Sequence, residues 1–240
     1  SEFAREIPKR SIHLPMLLYA ALAVASRHQT LMTSYREMEA LYYYSQCQTL
    51  IGRALSRSHS IHDGNWLATI VCMRMCEQLD DTSDGTPNTK RTDDRLLDLA
   101  PTFAHSGGLS EGAAWQILRQ EVHLSLCTKL PPRLDPDNYS RPQLFDFSDD
   151  SGCVNLIIVI LATLLRFLYS RDKSANCDGW RKIEENVKSW DTRRSDIFQP
   201  LPFRESSSWR SHTFPFLEFR NSAQGRYIPI NLSYKLDAWS

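Results

Sequence analysis

From Val154 to Leu168 the chain reads VNLIIVILATLLRFL, and only Asn155, Thr163 and Arg166 interrupt its apolar side chains. A run of this kind must leave water, either into lipid or into a protein interior. A membrane span takes about 20 predominantly apolar residues, and the three polar positions break this one further. The run therefore predicts a buried central helix from about 150 to 169, with no membrane span. Covering such a helix requires other amphipathic elements around it, and their spacing decides the fold class.

Those elements are helical. Leu14, Leu17, Leu18, Ala21, Leu22 and Ala25 recur on one face, with Pro15 acceptable in a first turn where no amide donor is needed. A second helix is predicted from about 34 to 57, where Tyr43, Cys47, Leu50, Ile51 and Ala54 form a stripe and Tyr42-Tyr43-Tyr44 wraps around it. Asp63 is placed to cap a third, its carboxylate accepting from amides two or three residues on, with Leu67, Ile70, Val71 and Met75 on one face and an end near Asp80. A fourth runs from Ser110 to about Lys129 and is closed by Pro131-Pro132. After the central helix, a sixth aligns Trp180, Ile183, Val187 and Trp190. Residues 81–108 carry Asp, Thr, Pro, Asn, Lys and Gly, the chemistry of a polar surface loop, broken by the apolar patch Leu96–Ala100. Residues 191–240 read as an irregular tail rich in Pro, Ser and Phe. No alternating run is long enough for a sheet. The expected architecture is an all-α, irregular multi-helix bundle: one helical domain over 1–240 with one long polar loop.

Composition bounds the chemistry. Hydrophobic residues make up 42% of the 240 positions, enough for a substantial core, and 28 basic side chains balance 28 acidic ones. With no net field and no basic block, direct DNA binding by this segment is not expected. Segment 1–10 is charged and lacks the apolar stretch of a signal peptide. The six cysteines sit mostly in apolar runs, as small hydrophobes in a reducing compartment.

The sharpest enzymatic pattern is Asp80-Asp81-Thr82-Ser83-Asp84, the D-D-x-x-D arrangement by which helical terpene synthases and prenyltransferases hold magnesium and a diphosphate. The second magnesium motif is missing: Asn186 and Ser189 approach it, but 191–194 supplies no Glu partner. A polar loop start is the favoured reading of Asp80, Asp81 and Asp84, with the magnesium enzyme as the alternative. Cys72 and Cys76 lie one helical turn apart, but no second pair completes a zinc site, so they read as core. His59, His62 and Asp63 read as loop and cap, and His105-Ser106-Gly107-Gly108 as a turn.

Several pieces taken in order resemble the large helical domain that follows the zinc cluster in one class of fungal binuclear zinc-cluster transcription factors, the class that includes sterol-responsive regulators. They are Pro15–Ala25, the Tyr42–Tyr44 helix and the Leu67–Glu77 helix. Gly112-Ala113-Ala114-Trp115 with Leu118–Val122, Trp180–Trp190, Phe198-Gln199-Pro200-Leu201 and Phe214-Pro215 follow. The chain departs from that family in the polar stretch 81–105, in Ser195 where the family carries Pro, and in lacking the six-cysteine cluster, since no Cys-x-x-Cys pair is present. The resemblance implies a non-catalytic, effector-sensing regulatory domain of a nuclear transcription factor controlling RNA polymerase II transcription, shuttling with the cytoplasm. It implies no cofactor in this chain, zinc being expected only in a missing N-terminal cluster, and as partners a small apolar effector and protein partners or a homodimer. A stand-alone helical co-regulator is a further alternative. Tyr42, Tyr43, Met73, Met75, Trp115 and Trp180 are the candidate effector-pocket residues, each also readable as core packing. Arg119 and Glu121 read as a solvated or interhelical ion pair.

Overall fold

The computed structural model describes residues 2–33, 37–55, 63–80, 94–140, 150–170, 177–194, 198, 217–220 and 227–230. Its elements are α1 (Glu2–Ser11), α2 (Pro15–Thr33), α3 (Glu37–Leu55), α4 (Gly64–Asp80), a 3-10 turn (Asp94–Leu99), α5 (Ala100–Phe103), α6 (Gly108–Thr128), a second 3-10 turn (Pro136–Tyr139), α7 (Asp150–Tyr169) and α8 (Cys177–Arg193). The all-α class follows the periodicity. One two-stranded antiparallel ribbon departs from the expectation of no strands, pairing β1 (Leu217–Arg220) with β2 (Tyr227–Ile230) so that Phe219 meets Ile228. Four residues per strand are too few for alternation to stand out in sequence.

The central helix is α4, not α7. From Trp66 to Glu77 every α4 side chain is buried except the half-buried Met75, the polar Thr69, Arg74 and Glu77 among them, so this helix needs neighbours around most of its circumference. It has them in α2 and α6, while α2 also packs along α3. Asp63 caps α4 as its sequence position predicts, Oδ1 accepting from the amides of Asn65 at 3.0 Å and Trp66 at 3.1 Å. The starts of α4 and α6 nearly touch: a Cβ on Gly64 would fall 1.9 Å from Ser110 Oγ.

Helix α7 meets the expected length and apolarity, and Ser151–Tyr169 is long and apolar enough to cross a membrane by those criteria alone. Only a third of that segment is buried. One face, with Val159, Ala162 and Leu165, enters the main core, and α8 lies along it through Phe167 against Trp180 and the Trp190 Nε1 donated to the Cys153 carbonyl.

Two further expectations are corrected. Residues 94–104, inside the predicted surface loop 81–108, enter the core: Leu97, Ala100 and Ala104 are buried. The loop chemistry of 81–93 lies outside the described residues. Helix α1, not anticipated from its charged sequence, packs on α2 and α6, with Phe3 and Ile7 one turn apart against both core clusters.

Candidate functional site

An open groove of about 550 Å³ runs between three helices. Ala21, Val24, Ala25 and His28 of α2 form one wall; Met75, Gln78 and Leu79 of α4 form the second; His123 of α6 closes the third side. On α4 the three groove residues follow an i, i+3, i+4 spacing and so share a face. That face is left open because the other two are occupied. Cys72, Met73 and Cys76 are buried, and Cys72 and Met73 share a small cluster with Ala20 and Cys47, beside which Tyr44 Oη donates to Glu77 at 2.5 Å. The third face, Val71 and Arg74, meets α6.

That third contact is ionic. Glu121 is 1% exposed. Its carboxylate accepts from Arg74 Nη2 at 2.5 Å and, on the other side, from Arg133 through its backbone amide at 3.2 Å, Nε at 3.3 Å and Nη2 at 3.2 Å. Burial pushes the Glu121 carboxyl up, but the Arg74 and Arg133 guanidiniums outweigh it and hold it below its ordinary value. From the adjacent position, Gln120 Nε2 donates to the Val71 carbonyl, about one turn before Arg74 on α4, at 3.1 Å. Beside the groove, α4 and α6 are thus fastened by a charge that is costly to leave unpaired in the interior. Glu121 thus makes the interhelical ion pair that its sequence position suggested, with Arg74 of α4, and Arg119 points elsewhere. Arg119 donates to Asn155 Oδ1 of α7 at 2.7 Å, and burial lowers its pKa.

The six candidate pocket residues do not converge. Met75 alone lines the groove. Met73 is buried in the α2–α3–α4 cluster. Trp115 is core, its Nε1 donating to the Ala104 carbonyl at 3.0 Å and its ring edge-on to Tyr139 at 5.3 Å. Tyr43 stacks on Tyr19 at 6.3 Å, while Tyr42 is 55% exposed. Trp180, also exposed, sits against Phe167. Asp80 ends α4, whereas Asp81 and Asp84 lie outside the described residues, as do His59 and His62. The groove residues that the sequence did not single out are Val24, His28, Gln78, Leu79 and His123; helical periodicity alone does not separate groove positions from packed ones.

Among the described residues no three His, Cys, Asp or Glu side chains gather in a metal-binding arrangement. Cys72 and Cys47 are buried thiols whose pKa burial pushes up to about 12, which leaves them protonated and unreactive.

Residues 1–98 match the family described as the fungal specific transcription factor domain. No curated protein and no solved structure matches the chain significantly.

Proposed function

We propose that the chain, whose residues 1–98 match the fungal specific transcription factor domain, is a non-catalytic regulatory unit of a nuclear factor controlling transcription by RNA polymerase II, and that its groove takes up a small apolar effector. The observation that carries this reading is the position of the groove: two of its three walls, α2 and α4, lie inside the family-matching segment. Five of its eight lining residues are apolar, Ala21, Val24, Ala25, Met75 and Leu79, which suits an apolar body, with His28, Gln78 and His123 able to orient a polar group. An occupant that bridges α2 to α6 across α4 would favour one spacing of these helices over another, and a ligand shifts a two-state element by its differential affinity for the two states. Helix α7 is read as a core element, since its Val159, Ala162 and Leu165 face is already packed.

The test is displacement of anilinonaphthalene sulfonate from the purified chain by a fungal lipid extract, in the wild type and in Ala25→Glu, which puts a charge in the apolar wall. The reading expects displacement in the wild type and a lost or weakened dye signal in the variant. Equal dye binding and no displacement in either would reject the groove as an effector site.

A further inference from the structure

The last turns of α6 place two metal-ligand side chains side by side on the surface. His123 and Cys127 are one helical turn apart, both exposed, with Nε2 and Sγ 3.9 Å from each other. A tetrahedral zinc ion with Zn–N near 2.0–2.1 Å and Zn–S near 2.3 Å holds neighbouring nitrogen and sulfur ligands about 3.6 Å apart. The pair therefore needs only a few tenths of an ångström of side-chain adjustment to share one cation. Imidazole and thiolate together select a borderline ion such as Zn(II) over the hard, oxygen-seeking Mg(II) and Ca(II).

As it stands the arrangement is half a site. A closed zinc centre takes four ligands, and among the described residues no third His, Cys, Asp or Glu joins this pair. The surroundings indicate where the rest come from. Leu126, in the last turn of α6, and Leu130, just past its left-handed Lys129 cap, lie near the two ligands in sequence at 49% and 60% exposure, so the pair sits beside uncovered apolar side chains. A second copy of the same surface, related by a two-fold axis, would supply the missing His and Cys and cover the leucines.

We propose that His123 and Cys127 from two copies of this chain form one intersubunit S₂N₂ zinc site. The step involves no redox change: two thiols release their protons to solvent, two neutral imidazoles bind through nitrogen, and the ion's two charges are balanced by two thiolates. His123 also borders the groove but Cys127 does not, so Cys127→Ser tests the metal site without altering the groove wall.

The experiment is a titration of the reduced, metal-free full chain with zinc, followed by sedimentation velocity, with Co(II) as a spectroscopic substitute. The proposal expects one metal per two chains and conversion of monomer to dimer. With Co(II) it expects the sulfur-to-cobalt charge-transfer absorption and the intense visible bands of a tetrahedral thiolate site. Cys127→Ser should abolish the metal-dependent association and the charge-transfer absorption while leaving the circular dichroism unchanged. Cys177→Ser, which removes the other exposed thiol, should leave both intact. Binding of one metal per chain without a change in mass, association that survives Cys127→Ser, or no uptake at all would each overturn the proposal.

Discussion

Replacing Glu121 by Ala should be among the most damaging single changes in this protein. The carboxylate is 1% exposed and accepts four hydrogen bonds, one from Arg74 and three from Arg133. Removing it leaves the Arg74 guanidinium at 8% side-chain exposure without its counter-charge, whereas Arg133, at 39%, can turn to water. Removing one partner of a buried pair typically costs about 3–5 kcal/mol. At about 2–4 °C per kcal/mol for a chain of this size, thermal unfolding should move down by about 6–20 °C. The assay is urea and thermal denaturation by circular dichroism, with Arg74→Leu and the double variant Arg74→Leu/Glu121→Leu alongside. Because the cost is mainly the orphaned charge, the double variant should be more stable than Glu121→Ala. The pH dependence has a definite sign. The folded-state pKa lies below the ordinary value of 4.5, so this stabilisation is complete above that value and is lost as pH falls through the lower, folded-state one. Glu121→Gln should flatten stability across that acid window. A Glu121→Ala protein within about 1 kcal/mol of wild type, a size ordinary for unremarkable substitutions, would refute the claim that a buried charge fastens α4 to α6.

Three further outcomes follow from the packing. Asp63→Ala removes the acceptor for the Asn65 and Trp66 amides and should cost about 1 kcal/mol in the same denaturation assay. Gly64→Ala cannot be seated without parting α4 from α6 at Ser110, and should destabilise by about 1–3 kcal/mol; a neutral result would mean that the two helix starts are not in contact. Residues 1–98 expressed alone should show no cooperative unfolding by circular dichroism, since the core that buries Leu67, Ile70 and Val71 is completed by Leu109, Ile117 and Leu118 of α6.

The helices were legible where an apolar stripe coincided with a terminating signal. Asp63 ahead of α4 and Pro131-Pro132 after α6 bracket their elements nearly as the sequence predicts. Helix α1 escaped notice because its charges dominate its composition, although Phe3 with Ile7, and Glu6 with Lys9 and Arg10, already carry helical spacing. The ranking of burial was not legible. Mean apolarity favours α7, yet α4 is the more enclosed helix, because enclosure depends on how many neighbours a helix has and its own sequence carries no count of them. The same limit hid Leu97, Ala100 and Ala104 within a polar stretch. For the groove, the sequence yielded Met75 but not its partners, and for Glu121 it yielded a charged helix position without the two arginines, which arrive from 47 residues before it and 12 after.

The most direct measurement of the regulatory claim is a tethered reporter assay in fungal cells, with this chain fused to a heterologous DNA-binding module and compared with its Ala25→Glu variant at matched protein level. A regulatory unit whose groove sets its output predicts that the wild-type fusion shifts reporter transcription relative to the module alone and that Ala25→Glu changes that shift while the purified variant keeps its fold. No shift from the wild-type fusion, or identical output from the two, would contradict it.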